Sequence, residues 1–279
     1  MLATRGFPGR DKAFVRYAVL GQHTVQGWLD PLGLQLIEAL EQAQRDGEIT
    51  GNVAEIGIHH GKLFLLLALL RRPGETALAV DLFEAQHLNV DSSGRADRAV
   101  FEANLRRWHR GSDGVVVHQA DSSTMGGADL AALARGRCRL VSVDGGHTAD
   151  LTEHDLETAA DALSDGGVII LDDCFNELFP GVSEGAQRFL HRRSDVVAVG
   201  AAGNKTFLTQ RAHAARYRIA MARRADELGL YHQEHESFVG QPFHSVFPPD
   251  PQRIAHWSGR ALRWWSLGRQ IANRRRSRS

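Results

Sequence analysis

Val53-Ala54-Glu55-Ile56-Gly57-Ile58-His59-His60-Gly61 carries an apolar run into a turn marked by glycines, and Lys62-Leu-Phe-Leu-Leu-Leu-Ala-Leu-Leu70 follows it almost without a polar residue. A short apolar strand, a glycine turn and a buried helix in that order open a parallel α/β sheet. Glycines at 57 and 61 let the backbone approach a bound molecule closely and let the next helix start against it. The spacing is G-x-x-x-G, so the G-x-G-x-x-G cradle for a pyrophosphate is missing. Glu55 suits a positively charged amino group and suits a diphosphate poorly.

Outward from this unit the pattern repeats. Apolar strands are expected at 77–80, 114–119, 139–143 and 168–171, with helices at 96–109, 151–163 and 182–191. Two last strands, 196–199 and 206–209, joined by Ala201-Ala-Gly-Asn204, read as a hairpin at one edge. The expected fold class is α/β, with a doubly wound, Rossmann-like, mostly parallel sheet of seven strands. Residues 11–48 read as helical with a break between Gly21 and Pro31, and residues 211–230 as another helix. Residues 231–251 read as irregular. Residues 252–273 read as a helix with an apolar stripe through Ile254, Trp257, Ala261, Trp264, Trp265 and Ile271, and the last six residues read as disordered. The implied division is an N-terminal helical cap at 1–49, a core at 50–210 and a C-terminal helical extension at 211–279.

At 279 residues and 43% hydrophobic content the chain can bury one large α/β domain with added helices. Its formal net charge is zero, which argues against a protein that coats nucleic acid. The basic residues are uneven: from Pro251 to Ser279 there are eight arginines and no acid. That tail reads as packed on the domain or on a partner subunit, with a membrane-surface role as the rival. The longest apolar run, 63–70, is too short to span a bilayer. Arg5, Arg10, Asp11 and Lys12 interrupt any signal-peptide core. Cys138 and Cys174 sit in or beside buried strands, which fits a reduced, cytoplasmic protein. A homodimer through the N-terminal helices or the tail is compatible with these features.

Acids stand at successive strand ends. Asp81, 20 residues beyond Gly61, is placed to accept two ribose hydroxyls, and Asp121-Ser122 to reach an adenine. Asp144 ends the fourth strand, and Asp172 with Asp173 ends the fifth, 28 and 29 residues later. Neighbouring parallel strands bring these three carboxylates together. Their repulsion calls for a hard divalent cation such as Mg²⁺. His147, three residues after Asp144, is placed to take a proton from an alcohol next to that cation.

The order E-x-G-x-x-x-G, an acid after strand two and an aspartate after strand three, over about residues 50–210, resembles class I S-adenosylmethionine (SAM)-dependent methyltransferases. Asp144-x-x-His147 with the later pair Asp172-Asp173 resembles the Mg²⁺-dependent sugar O-methyltransferases of the mycinamicin type and those acting on mannose polysaccharides. The catechol pattern has a lysine where His147 stands and an asparagine where Asp173 stands. The resemblance implies SAM held by Glu55, Gly57, Gly61, Asp81, Asp121 and Ser122. It implies Mg²⁺ on Asp144, Asp172 and Asp173, His147 as base, and a sugar hydroxyl, in a glycan or a glycosylated natural product, as acceptor. A phenol or catechol acceptor, an NAD-type dehydrogenase and a silent SAM-binding module remain as rivals; nucleic-acid methylation lacks its N/D-P-P-Y motif. Phe175, Asn176 and Phe179 are expected to line the acceptor pocket. Gln22-His23-Thr24 and Trp28 are expected to cover the cofactor, and His59 and His60 to touch the cofactor or the acceptor.

Overall fold

The computed structural model describes residues 6–91, 93–109 and 113–248. In chain order the elements are α1 (Lys12–Val19), α2 (Pro31–Asp46), β1 (Asn52–Ile56), α3 (Lys62–Leu70), β2 (Ala77–Asp81), α4 (Arg98–Trp108), β3 (Val115–Gln119), α5 (Gly127–Leu133) and β4 (Cys138–Val143). There follow α6 (Ala149–Ala162), β5 (Leu163–Asp172), α7 (Pro180–Arg192), β6 (Val196–Ala202), β7 (Lys205–Gln210), α8 (Ala214–Leu228), β8 (Tyr231–Phe238) and β9 (Gln241–Phe247). Local signals set many helix starts. Asp30, Asp97 and Thr148 cap α2, α4 and α6, and proline opens α2 and α7.

The strands form one sheet in the order β3-β2-β1-β4-β5-β7-β6-β9-β8. From β3 to β5 all pairings are parallel. One face packs Phe14, Leu36, Leu40, Phe64, Phe101 and Tyr217, from helices α1 to α4 and α8; the other packs Leu130, Leu156 and Phe189 from α5 to α7. The strand order reverses between β1 and β4, which is where ligands enter a doubly wound sheet. Both cysteines are buried free thiols. Among the described residues no helix is long and apolar enough to cross a membrane.

The sheet has nine strands where seven were expected. Residues 231–247, read as irregular, form the antiparallel pair β8–β9, and β9 joins β6 in parallel. The β6–β7 hairpin is therefore not an edge: β7 lies between β5 and β6, and β9 covers β6. Gly200 permits that cover, because a Cβ there would come 2.1 Å from the His244 carbonyl oxygen. Strand β5 also starts five residues before its expected first residue, Val168, and absorbs Asp165-Gly166-Gly167 with Gly166 at φ +74°. After residue 210, α8 packs on α2 and β6, and the hairpin that follows extends the sheet. The expected helix at 252–273 lies outside the described residues.

Candidate active site at the carboxyl edge of the sheet

The turn after β1 is built against the end of β4. Gly57 has φ +80°, and a Cβ on it would meet the Asp144 carbonyl oxygen at 1.9 Å, so no side chain fits. Gly61, at φ +83°, opens α3 against Phe101. Asp81, at the end of β2, braces this turn. Its Oδ2 accepts the Ile58 and His59 amides at 2.8 and 2.9 Å, and its Oδ1 accepts the Phe83 amide at 2.8 Å. Burial raises the Asp81 carboxyl above the usual range, against those bonds. Its reach for a ribose is thus limited to the lone pairs these amides leave open.

Glu55 lies beneath the turn, 2% exposed. Its Oε1 accepts from Ser142 Oγ at 3.3 Å, and its Oε2 is buried with no hydrogen-bond partner among the described residues. Burial pushes its carboxyl up to about 8. The backbone cradle and the unpaired buried oxygen both fit a nucleoside cofactor with a cationic amino group. Beyond β3, Asp121 accepts the Ser123 amide at 2.9 Å, and Ser122 Oγ donates to Asp155 Oδ2 at 3.2 Å. Asp155 was not singled out from the sequence. It is fully buried on α6, its Oδ1 has no hydrogen-bond partner among the described residues, and burial pushes it up to about 7.

His59, at φ +50°, stacks near Trp28 at 5.5 Å and near His60 at 3.9 Å. Burial brings its imidazole down to about 4. Trp28 is 61% exposed, so it flanks the turn without being a core residue.

At the ends of β4 and β5, ligand atoms of Asp144, His147 and Asp173 lie within 4.8 Å of one another. Burial and the Asp172 charge raise the carboxyls of both Asp144 and Asp173. Asp173 adopts φ +57°, its Oδ1 accepts from Asn176 Nδ2 at 3.1 Å, and its Oδ2 lies 3.7 Å from His147 Nε2. Two carboxylates beside an imidazole suit a hard divalent cation.

Asp172 is the most heavily hydrogen-bonded of the three acids. Its Oδ2 is hydrogen-bonded by Lys205 Nζ, and its Oδ1 accepts Asn204 Nδ2 at 2.5 Å and the Asp173 amide at 2.9 Å. Lys205 is fully buried and also lies 4.0 Å from Asp144 Oδ2. Burial works against its charge, but the Asp172 and Asp144 carboxylates outweigh that and raise it. The antiparallel register pairs Asp172 with Lys205 directly. Sequence reading started the strand at Thr206 and left Lys205 in a loop.

A second residue missed from the sequence is Asp91. Its Oδ2 accepts the His147 amide at 2.7 Å and lies 2.6 Å from His147 Nδ1. A carboxylate only accepts, so Nδ1 carries a proton, and Nε2 is the ring nitrogen that faces Asp173. Burial works to raise the Asp91 carboxyl, yet bonds from Ser93 and His147 outweigh it and bring it down to about 2. Phe179 stacks on the His147 ring at 3.9 Å and 20°. Phe175, 57% exposed, meets Phe238 and Phe243 edge-on, so the β8–β9 hairpin backs the loop after β5.

Residues 54–174 match a family model described as a methyltransferase domain. No curated protein sequence matches the chain. Among solved structures, the O-methyltransferase NovP aligns with a TM-score of 0.53 at 13% identity, over 64% of this chain and 80% of that one. CalS11, a TDP-rhamnose 3′-O-methyltransferase of calicheamicin biosynthesis, aligns at 0.47 and 18% identity, over 63% and 77% of the two chains. An O-methyltransferase from Bacillus cereus in complex with SAH aligns at 0.48 and 16%, over 74% and 93%. At such identities the likeness concerns the fold, and NovP carries it.

Proposed function

We propose that this chain, which carries a SAM-dependent methyltransferase domain in the class I fold, methylates a hydroxyl group of a sugar-type small-molecule acceptor with the help of Mg²⁺. The observation that carries the reading is the convergence of Asp144, Asp173 and an oriented His147 beside the glycine turn. NovP, which shares the fold, is an O-methyltransferase, and that agrees with O-methylation here.

When bound, SAM supplies an activated methyl group on a sulfonium, and Mg²⁺ supplies a positive charge that favours the ionised acceptor oxygen. Gly57 and Gly61 would let the backbone approach the cofactor closely, and Glu55 Oε2, without a hydrogen-bond partner among the described residues, would receive its amino group. Asp81 keeps the turn in shape, and Asp121 with Ser122 would meet the adenine. Asp144 and Asp173 would hold the cation. His147 Nε2 would take the proton of the acceptor hydroxyl, leaving that oxygen free to accept the methyl group SAM would supply. Asp91 fixes the tautomer that makes Nε2 the base, and Phe179 holds the ring plane. Asn176 and the Phe175 ring line the acceptor entrance.

The test is SAH release over a panel of nucleotide sugars, glycosides and catechols, with and without Mg²⁺. Sugar-dependent, Mg²⁺-dependent release is expected. Turnover of catechols alone reassigns the acceptor, and no release with any acceptor makes the chain a silent SAM-binding module. His147→Ala should lower kcat about 10²- to 10⁴-fold and leave SAH affinity unchanged, measured by calorimetry. Equal loss of both defeats the base role.

A further inference from the structure

Asp155 is fully buried on α6, and its side chain reaches two loops at the carboxyl edge of the sheet. Its Oδ2 accepts from Ser122 Oγ, 3.2 Å away in the turn after β3. The same oxygen lies so close to the loop after β4 that a Cβ on Gly145 would meet it at 2.5 Å. We infer that Asp155 is a positioning residue for the nucleobase of the cofactor: it holds the Ser122 hydroxyl as an acceptor, so that the site takes a 6-amino purine and disfavours a 6-keto one. This deepens the cofactor part of the reading above and rests on it.

As a purely structural residue Asp155 is costly. Its Oδ1 is buried with no hydrogen-bond partner among the described residues. An apolar side chain would fill the same place without leaving a polar atom bare. A buried acid of this kind at the edge of a cleft points to a task.

The turn that Asp155 touches is gripped from the same helix. His154 Nε2 donates to the Ser122 and Met125 carbonyl oxygens at 3.1 and 2.9 Å, and Thr158 Oγ1 donates to the Met125 carbonyl oxygen at 3.1 Å. Helix α6 thus holds the backbone of residues 122–125, and Asp155 adds the Ser122 side chain. A hydroxyl has one hydrogen to give. Ser122 gives it to Asp155, and no other bond to that hydroxyl is present among the described residues. Ser122 is half-buried, and what its oxygen still offers a ligand is lone pairs. An adenine amino group donates and satisfies them. A 6-keto oxygen or a purine ring nitrogen has only lone pairs of its own to bring, and the two repel. The Asp121 carboxylate, next in the chain, also only accepts, so both neighbours favour the amine.

The experiment is calorimetric titration, at pH 8, of SAH and of its 6-keto analogue S-inosylhomocysteine into the full chain and its variants. The original protein should bind SAH about tenfold or more tightly than the analogue. Asp155→Leu removes the acceptor, frees the Ser122 hydrogen and should narrow that ratio about three- to tenfold. Asp155→Asn keeps an acceptor oxygen and should hold the ratio within about twofold of the original. With Ser122→Ala already in place, Asp155→Leu should change the ratio no further. No preference for SAH in the original protein, an unchanged ratio in Asp155→Leu, or equal loss of affinity for both ligands overturns the inference and leaves the cofactor reading intact. A narrowing as large in Asp155→Asn, or one that persists without the Ser122 hydroxyl, does the same. No SAH binding to the original protein overturns the cofactor reading and this inference with it. Should Asp155→Leu fold poorly, neutron diffraction from crystals of the original protein with SAH decides. A deuterium between Ser122 Oγ and Asp155, with the adenine amino group on Oγ, supports the inference, and any other arrangement overturns it.

Discussion

Asp91 shows how one unremarkable residue acquires a role through position. Nothing around Asn89-Val-Asp91-Ser-Ser93 marks a motif, yet its carboxylate holds both the amide and Nδ1 of His147. Asp91→Asn should lower kcat about 10- to 100-fold with SAH affinity and melting temperature little changed, because the amide no longer selects the tautomer. Asp155 gives a pH prediction. Its folded carboxyl is pushed up to about 7, from an ordinary value of 3.8. A raised acid stabilises the fold below its unfolded value, and that contribution is lost as pH climbs from about 4 through about 7. Asp155→Asn should therefore melt higher than the original protein at pH 8 and lose that advantage at pH 5, read from melting curves at the two values. The nearness of Asp144, His147 and Asp173 could be read from the sequence, because neighbouring strand ends in a parallel sheet converge. The Lys205–Asp172 pair was not, because which strand faces β5 is decided by tertiary pairing.

At the scale of elements, periodicity located the strands that are apolar on both faces and the helices between them. It failed for β8, whose Tyr231-His-Gln-Glu-His-Glu-Ser-Phe238 is half exposed along its length and has no apolar face to advertise. In β9 only Phe243, His244 and Val246 are buried, too few to signal a strand. Two results follow for this hairpin. Gly200→Val should force β9 away from β6, since even a Cβ meets the His244 carbonyl at 2.1 Å; loss of amide-exchange protection confined to β6, β8 and β9 would show it. Phe243→Ala should cost about 3–5 kcal/mol in denaturant unfolding and leave Phe175 with one ring partner, Phe238.

Across the whole molecule, the N-terminal helices are bound in more firmly than a cap. Glu41 on α2 is fully buried and pairs with Arg10, Arg45, Arg72 and, at 3.4 Å, Arg139 on β4. Arg139, also fully buried, bonds Glu75, Gln44 and the Leu70 carbonyl. This network ties the segment before α1, helix α2, the end of α3 and the foot of the sheet together. Glu41→Ala should destabilise the chain by about 3–5 kcal/mol in denaturant unfolding, since it strands buried guanidinium groups. A smaller loss than about 1 kcal/mol would mean that water replaces the carboxylate. Charge patterning alone did not reveal the network, because its members are spread from residue 10 to residue 139.

Strand β9 runs parallel to β6, and β6 runs in the direction of β5, so Phe247 ends at the same edge of the sheet as Asp172. Three strand spacings separate β9 from β5, about 14 Å. A dye attached near position 247 would therefore sit within energy-transfer range of a labelled acceptor. The same proximity makes a surface tethered through that end a poor choice for immobilisation, because it would crowd the entrance that substrates must use.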